Sequence, residues 1–447
     1  MESSKARIVT EIPGPRSLQL FAEEQRYIAP GLQTIALLSK IAIERGQGAV
    51  VEDVDGNRYI DFSAGVAIAS LGHAHPKFIA ALKRQVEKVH VGSFATPARA
   101  ELTKLIAEIA PGDLNRTQFY SGGSEAVEAA IRLAKSHTKK YEVVGFWHGF
   151  HGKTGGVLGL LGDDFKHQLG PLMPGLYSSP YADCYRCPLK HTFPECDFAC
   201  VEFLKEKVRL ETTNNVAAII VEPFQGTAGN VIPPPGYLKR LKAYAEAIGA
   251  LLIADEMITG FGRTGKMFGC DHDEVVPDIM TIGKGMASGY PISGVIAREE
   301  IAFAKPFANP SGSSSSYGGN PLAAAAALAT IRTIIEENLA DNAARAGAFM
   351  LKRLSALQEK YPFIGEVRGK GLFIGIELVK DRRTKEKLDK KFCRMIFEEC
   401  LKRGLIVMSY NPGIRINPPL IIDIETAEEG LAILERAFNR VADRINT

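Results

Sequence analysis

Two continuous apolar runs in the middle of the chain constrain its fold more than any other feature. VAAIIV begins at Val216 and ALLIA begins at Ala250, and the segment PGYLKRLKAYAEAIG between them has the apolar spacing of a helix. Uninterrupted aliphatic runs of this length are typical of parallel strands that are buried on both faces. The order strand, helix, strand predicts a βαβ unit, and therefore an α/β fold with a parallel sheet.

The flanking sequence predicts further elements and a division into two domains. AVVEDVDGNRYIDFSAG indicates a β-hairpin that turns at Asp55-Gly56. Helical spacing recurs from Pro76 to Val89, in SEAVEAAIRLAKSHTKK and in AEEGLAILERAFNRVADRI, whereas GKGLFIGIELV is typical of a strand. We expect a large domain over residues 77–325, and a smaller α+β domain built from both termini, residues 1–76 and 326–447.

Charge and hydropathy exclude several classes of partner. The chain has 54 basic and 51 acidic residues, a net charge of +3, which gives no reason to expect nucleic acid or an anionic membrane as the main partner. Its apolar runs are shorter than the ~18 residues that indicate a membrane span. The start, MESSKARIVTE, lacks the apolar core of a signal peptide, so a cytoplasmic location is predicted.

Two of the predicted strands end in a carboxylate, and a lysine follows in an unusual setting. VAAIIV leads to Glu222 and ALLIA leads to Asp255. Parallel sheets bind ligands at the carboxyl ends of their strands, so these side chains are candidates for a site. Lys284 lies between two glycines and apolar residues. A buried lysine has a lowered pKa and is a nucleophile, whereas the alternative is an ordinary lysine in a glycine turn.

Two glycine-containing segments supply the other parts of a candidate site. In FYSGGSEAV, glycines and a serine lead directly into a helix, which favours an anion site at the helix start or, alternatively, a capping box with Glu125. In FWHGFHGKT, Phe150 could stack on a flat ligand or belong to the core. A lysine, a strand-end carboxylate, a phosphate-type helix start and an aromatic plate are the four features that pyridoxal phosphate requires.

The sequence resembles the class III pyridoxal-phosphate aminotransferases of fold type I. The resemblance covers nearly the whole chain, from VEDVDGNRYIDFSAGVAIASLGHAHP to IRINPPL, and DEMITGFGRTG and TIGKGMASGYPISG stand at the spacing of that family. TEIPGPRS near the start is similar to 4-aminobutyrate aminotransferases and to related amino-acid racemases. The resemblance implies a mainly parallel seven-stranded sheet in the large domain.

The resemblance also implies roles for individual residues at the cofactor. Lys284 corresponds to the lysine that forms the Schiff base with pyridoxal 5'-phosphate, and Asp255 to the partner of the pyridine nitrogen. The remaining residues that it implies as cofactor-binding are Gly123, Ser124, Phe150, His151, Glu222 and Ser316. Ser316 would bind the phosphate of the neighbouring subunit, which implies a homodimer with sites at the subunit interface.

The substrate side departs from the 4-aminobutyrate enzymes at three positions. Thr227 replaces a glutamate that neutralises the substrate-binding arginine, Ile258 replaces a glutamine, and Lys153 replaces an arginine that binds a distal carboxylate. These changes favour the ω-amine transaminases or the racemase branch. The substrate-binding residues implied by the resemblance are Val66, Lys153, Thr227, Ile258 and Arg415, the last of which would hold the substrate carboxylate.

The predicted function is transfer of an amino group from an amino acid or ω-amine to a keto acid by a ping-pong mechanism. Lys284 and Asp255 are the predicted catalytic residues. The alternative with the same chemistry is an amino-acid racemase or epimerase of the same fold. A third hypothesis is a cofactor-binding or regulatory protein without activity, which the intact Lys284 and Asp255 argue against.

Four of the seven cysteines lie close together in sequence. Cys184, Cys187, Cys196 and Cys200 have the spacing C-x2-C-x8-C-x3-C. Zinc-binding pairs have such spacing, but eight residues between the pairs is shorter than in most two-pair sites. Reduced thiols and disulfides are the alternatives, and no metal site is predicted here.

Overall fold

The computed structural model describes residues 4–162 and 164–445. In chain order the strands are β1 (Ile43–Gln47), β2 (Val50–Asp53), β3 (Arg58–Asp61), β4 (Arg116–Tyr120), β5 (Glu142–Phe146), β6 (Leu176–Ser179), β7 (Val216–Val221), β8 (Leu251–Asp255), β9 (Ile279–Ile282), β10 (Ser293–Ala297), β11 (Ile364–Lys370), β12 (Phe373–Asp381), β13 (Glu386–Lys387), β14 (Leu405–Ile406) and β15 (Gly413–Ile416). The α-helices are α1 (Pro15–Glu24), α2 (Thr34–Ser39), α3 (Ala64–Ala67), α4 (Pro76–Val86), α5 (Pro97–Ile109), α6 (Gly123–Thr138), α7 (Ala199–Glu211), α8 (Tyr237–Ala247), α9 (Glu299–Ala302), α10 (Pro321–Glu336), α11 (Leu339–Lys360), α12 (Lys390–Leu401) and α13 (Ile424–Ile445).

The chain divides into two compact units. The smaller unit takes the described residues of Met1–Pro76 and Asp341–Thr447, and the larger unit is Lys77–Ala340. The second boundary lies beyond residue 325, the boundary expected from the sequence. The physical reason is that α10 packs against α5 and against the one-turn 3-10 helix Lys284–Ala287, both of which belong to the larger unit.

The larger unit is built on one seven-stranded sheet with the strand order β4-β10-β9-β8-β7-β5-β6. Strand β10 is antiparallel to both of its neighbours, and the pairs from β9 to β6 are all parallel. The prediction of a mainly parallel seven-stranded sheet is confirmed.

The βαβ unit predicted from the two apolar runs forms the centre of this sheet. Every residue of β7 and of β8 is buried, and the two strands pair in parallel with Ala218 opposite Leu251. Helix α8 connects them. Uninterrupted aliphatic runs form these strands because helices cover both faces of a parallel sheet.

Alanine-rich helices allow the backbone to pack closely around the sheet. Helix α6 contributes Ala126, Ala129, Ala130 and Ala134 to the core of the larger unit. Helix α10 begins at Pro321 after Asn320, whose side chain accepts a hydrogen bond from the Ala323 amide at 2.9 Å, and this arrangement is a regular N-cap. Across residues 4–162 and 164–445 we find no helix with the length and apolar character needed to cross a membrane.

The smaller unit contains two four-stranded sheets. One has the order β1-β2-β3-β14, and in the other β12 pairs with β11, β13 and β15. The predicted hairpin is confirmed, because β2 and β3 are antiparallel with Val51 opposite Tyr59, and Gly56 has a φ of 87° in the turn. Tyr59, Phe397 and Leu401 are buried in the core of this unit.

A buried ion cluster lies directly before β9, at the end of the large sheet where this strand begins. Both carboxylate oxygens of Asp278 lie 2.7 Å from the ammonium of Lys242, and Arg298 donates to Asp278 at 2.9 Å. The amide of Leu252 in β8 donates to the same carboxylate at 2.8 Å. Asp278 is only 3% exposed, so these donors replace the water that it would bind in the unfolded chain.

We therefore expect Asp278→Ala to destabilise the larger unit by about 3–5 kcal/mol, because it leaves two cations and one amide without their buried acceptor. The measurement is the denaturant midpoint of the purified protein. Asp197→Ala is the matched control, since Asp197 pairs with Arg240 on the surface with its side chain 75% exposed, and we expect little change. Equal midpoints for the two variants would contradict a structural role for Asp278.

Candidate active site

Asp255 lies at the centre of the candidate site, at the carboxyl end of β8. Its carboxylate accepts hydrogen bonds from the Met257 amide at 3.2 Å and from the Thr281 hydroxyl at 3.0 Å. Its other oxygen lies 2.6 Å from Nδ1 of His151. These three contacts come from three different segments, so the carboxylate is held in one orientation.

His151 and Asp255 form a buried pair, with side chains only 1% and 2% exposed. Burial opposes protonation of His151, but the hydrogen bond and charge of Asp255 and the charge of Glu222 leave its pKa raised above its ordinary value. The charge of Lys284 acts on this pKa in the opposite direction. The contact with Asp255 therefore favours the protonated form of His151.

Glu222, at the end of β7, connects two loops of the site. Its carboxylate accepts from the Phe150 amide at 2.9 Å and from the Gly226 amide at 3.0 Å. Burial raises the pKa of Glu222, while the charge of His151 and the two amides act against that shift. Thr227 follows Gly226 in the chain. A Cβ at Gly226 would lie 2.8 Å from Ile258 Cδ1, so Ile258 packs directly on this loop.

The turn from β4 into α6 presents backbone amides at a helix start. Glu125 accepts from the amides of Ser121 and Gly122 at 3.1 and 2.6 Å, and Ser293 donates to the Gly122 carbonyl at 2.7 Å. The Glu125 half of a capping box is therefore present, whereas the N-cap residue Gly122 has no side chain to supply the other half. The amides of Gly123 and Ser124 open the helix itself, where no intrahelical acceptor is available to them. Capping and anion binding thus use different amides, and the two interpretations of this segment are compatible.

Three glycines allow the segments of the site to approach one another. Gly152 has a φ of 115°, and a Cβ added there would clash with the Ser124 hydroxyl. A Cβ on Gly123 would lie 3.3 Å from Met257 Sδ, and one on Gly283 would lie 2.7 Å from the same sulfur. The helix start, the Phe150 loop, the end of β8 and the turn before Lys284 consequently meet at one place.

Lys284 occupies a strained backbone position in this arrangement. It has a φ of 43° and begins the 3-10 helix Lys284–Ala287, whose next three residues are buried. A residue other than glycine in the left-handed region costs about 1–3 kcal/mol, which the surrounding packing must offset. Helix α10 packs against this turn. Lys284 is therefore not a mobile loop lysine.

The remaining predicted residues of the larger unit lie on two loops. The Phe150 and Phe165 rings meet edge to face at 6.5 Å, and the Lys153 ammonium lies 4.1 Å from the centre of the Phe165 ring. Ser316 is exposed on a loop that is attached to the end of β4, because the Tyr120 hydroxyl contacts the hydroxyl and the carbonyl of Ser313.

Val66 and Arg415 belong to the smaller unit. Val66 has a φ of 68°, which is a rare conformation for a β-branched residue and is typical of a functional site. Arg415 lies in β15 opposite Gly375 of β12, and its guanidinium is 3.4 Å from the Met408 sulfur.

The sequence interpretation missed several supporting residues. Thr281 is a polar residue within an apolar strand, and Gly152 follows His151 in FWHGFHGKT, which is a candidate site segment. The sequence alone could therefore have indicated both residues. Met257 and Ser293 carried no such signal, because their role depends on which segments the fold brings together.

The four clustered cysteines carry free thiols in the structure. Burial raises the pKa of Cys184 to about 12 and that of Cys200 to about 11, and the nearby thiols of the cluster add to both shifts. Among the residues that the structure describes, no group of three or more histidine, cysteine or acidic side chains is arranged to hold a metal ion.

Comparison with known proteins gives consistent matches over nearly the whole chain. A family model described as aminotransferase class-III matches residues 34–438. A leucine/methionine racemase of Thermococcus litoralis is 38% identical, covering 94% of this chain and 95% of its own. A 4-aminobutyrate aminotransferase of Mycobacterium leprae is 35% identical, covering 96% and 97%. The crystal structure of an (S)-enantioselective omega-transaminase from Thermomicrobium roseum has a TM-score of 0.89 at 34% identity, covering 95% and 98%.

The approach of Gly152 to Ser124 generates a prediction about the helix start. We expect Gly152→Ala to weaken binding of pyridoxal phosphate at least about tenfold, because an added methyl group and a left-handed φ both displace the Ser124 segment. The measurement is the dissociation constant of the cofactor, from its absorbance on titration of the apoprotein.

Gly155→Ala is the matched control for that experiment. Gly155 is exposed on the same loop, and a Cβ there would have nothing within 4 Å. We expect unchanged cofactor affinity in this variant. If a correctly folded Gly152→Ala protein binds the cofactor as tightly as the Gly155→Ala protein, the close approach has no part in forming the site.

Proposed function

The chain belongs to the class III aminotransferases, and from that premise we propose how its residues divide the work of amino transfer. The reaction moves an amino group from an amino donor to a keto acid and depends on pyridoxal phosphate. When bound, this cofactor supplies a carbonyl that accepts the amino group and a ring that withdraws electrons from the reacting carbon.

The residues of the larger unit fit this cofactor. The amides of Gly123 and Ser124 at the start of α6 suit its phosphate, because a helix start offers unpaired N–H groups and a positive dipole end. The buried carboxylate of Asp255 suits the protonated pyridine nitrogen, and the His151 contact holds that carboxylate in one orientation. Phe150, whose amide is held by Glu222, suits the ring face.

Lys284 has two roles in the proposal. Its Nζ atom would hold the cofactor covalently in the resting enzyme, and the same atom, once released, would take the proton from the α-carbon of the donor and deliver it, as general acid, to the cofactor carbon that keeps the amino group. The strained backbone at Lys284 and the close approach of Gly283 to Met257 support this assignment. One amine on one face of the site is sufficient for both proton transfers of amino transfer.

Substrate selection would depend on Val66, Lys153, Thr227, Ile258 and Arg415. We propose that Arg415 binds the carboxylate of the keto acid or amino acid by a bidentate pair. Thr227 is neutral and Ile258 is apolar and buried, so neither position supplies a carboxylate. Lys153 is engaged with the Phe165 ring and keeps a positive charge at the loop after β5. Donors with apolar side chains suit this set of residues.

We also propose a cytoplasmic homodimer in which Ser316 contributes to the phosphate site of the partner subunit. Ser316 is exposed, and the larger unit exposes a series of apolar residues that a partner could cover, namely Val86, Val89, Val91, Phe94 and Tyr317. Four of these residues lie within nine positions of the sequence, and exposed apolar residues that cluster are typical of protein interfaces. Sedimentation equilibrium of the purified protein tests the dimer directly, and a stable monomer with full activity would contradict it.

Amino-acid racemisation is the second candidate function, because a relative that is 38% identical is named as a leucine/methionine racemase. Both reactions begin with removal of the α-proton. Racemisation also requires reprotonation from the opposite face, and therefore either a second acid or a mobile lysine. Thr227 and Ile258 are poor proton donors, and His151 is engaged with Asp255, so the geometry favours amino transfer.

The two candidates are separated by incubating the enzyme with L-leucine or L-methionine in deuterated buffer without a keto acid. We expect amino-group loss limited to one equivalent per active site, resuming when pyruvate or 2-oxoglutarate is added. The measurement is chiral chromatography with mass detection. Sustained formation of the D-amino acid over many turnovers would instead assign the protein to the racemases.

The assignment of Lys284 gives a further prediction. Lys284→Ala should lower turnover at least about a thousandfold, because covalent anchoring and proton transfer both require this amine. The measurement is keto-acid-dependent turnover at saturating donor. Lys239→Ala is the control, since Lys239 is exposed and pairs only with Glu274 on the surface, and its activity should be unchanged. Comparable activities for the two variants would contradict the role of Lys284.

A further inference from the structure

Two aromatic rings and one ammonium group form a cluster beside the loop after β5. The Phe150 and Phe165 rings meet edge to face, with centres 6.5 Å apart and planes at 83°. The Lys153 ammonium lies 4.1 Å from the centre of the Phe165 ring and 5.9 Å from the centre of the Phe150 ring. Both distances are within the ~6 Å at which a ring attracts a cation. The Phe165 contact is the shorter, so this ring has the stronger hold on the ammonium.

The backbone around Lys153 is held against α6 on both sides. Before it, Gly152 approaches Ser124 so closely that a Cβ at Gly152 would clash with the serine hydroxyl. After it, the Gly156 amide donates to the carboxylate of Glu128 in α6 at 3.1 Å. The position of the Lys153 backbone is therefore fixed relative to the helix start of the candidate site, and its ammonium is placed by the side chain and the ring contacts.

Phe165 reaches the same ammonium from a different segment. It lies in the one-turn 3-10 helix Asp164–Lys166 and is 48% exposed. Gly162, just before this segment, is tied to the loop after β5, because its amide donates to the Gly149 carbonyl at 3.0 Å and a Cβ there would clash with the His148 amide. These are backbone contacts, so a change of the Phe165 side chain leaves them in place.

The Phe165 ring and a substrate carboxylate compete for the Lys153 ammonium. A cation–π contact at an exposed position changes an equilibrium constant by about two- to fivefold. An ion pair between exposed groups contributes a similar factor, up to about fivefold. A second carboxylate that displaces the ring therefore gains little, whereas an apolar substrate group leaves the contact intact. The two rings also add apolar surface beside the ammonium.

We propose that Phe165 is a specificity-determining residue, which holds the Lys153 ammonium and so lowers the affinity of the site for substrates with a second carboxylate. The inference rests on the proposed function, in which Phe150 covers the cofactor ring, because the Lys153 ammonium is then 5.9 Å from a ring at the reacting centre. The favoured substrates are amino acids with apolar side chains and their monocarboxylic keto acids. Glutamate and 2-oxoglutarate carry a second carboxylate and are disfavoured.

The test compares two non-reacting acids of five carbons, glutarate with two carboxylates and valerate with one. Their dissociation constants from the holoenzyme, saturated with pyridoxal phosphate, are measured by calorimetric titration. We expect Phe165→Ala to raise the affinity for glutarate relative to valerate about two- to fivefold, because the ammonium loses its ring contact. Phe165→Leu keeps an apolar side chain without a ring, and it should change the ratio in the same way.

Two further variants separate the ring contact from other effects. Lys153→Met removes the charge, and when it is combined with Phe165→Ala the gain in the ratio should disappear. Phe303→Ala is the matched control, since Phe303 is exposed and has the Arg116 guanidinium 5.8 Å from its ring centre. Arg116 begins β4, at the opposite end of that strand from the helix start of the site. We expect an unchanged ratio in this control.

The denaturant midpoint of each variant shows whether it is folded. The proposal is overturned if folded Phe165→Ala has the ratio of the unmodified enzyme, if Phe165→Leu does not follow it, or if the gain persists without the Lys153 charge. Absence of glutarate binding to the Phe165→Ala holoenzyme would also overturn it. A failure of the proposed function would appear differently, as absence of keto-acid-dependent turnover in the unmodified enzyme, which these binding measurements do not require.

Discussion

The buried contact between His151 and Asp255 is the interaction on which the rest of the candidate site depends. A carboxylate with almost no exposure is unfavourable unless donors replace its water, and here an imidazole, a hydroxyl and an amide do so. Because the imidazole lies in the segment after β5 and the hydroxyl in β9, satisfying this one carboxylate also connects strands that are separated in the sheet. The same contact fixes the orientation of the Asp255 carboxylate, which suits the contact that we propose with a protonated pyridine nitrogen.

A second carboxylate has a different task in the same region. Glu222 binds the backbone amides of Phe150 and Gly226, and its role in the structure is to hold two loops in place. Burial raises the pKa of Glu222, and the two backbone amides act against that shift. The two acids at neighbouring strand ends therefore have different contacts. Glu222 accepts from backbone amides of two loops, whereas Asp255 contacts an imidazole and a hydroxyl.

Two positions of the candidate site have an unusual backbone conformation. Lys284 has a left-handed backbone, and Gly152 adopts a φ that glycine alone adopts without strain. Strained positions persist only where the surrounding packing determines them, and here helix α10 and the Ser124 segment do so. Rigid placement of the Lys284 amine suits the proton transfer that we propose for it, since proton transfer requires short and directed contacts.

The sequence by itself determined the α/β class, the βαβ unit, the hairpin and the identity of Asp255 and Lys284 as the main candidates. Periodicity shows which faces are buried, and strand ends in a parallel sheet meet at one edge, so these conclusions need no coordinates. The sequence could not show that His151 contacts Asp255, that Glu222 connects two loops, or that Met257 fits between Gly123 and Gly283. Those contacts join residues that are far apart in the chain, and their distances depend on how closely the helices and loops pack. Only the tertiary structure decided them, because packing at close contact is set by all the neighbours of a residue together.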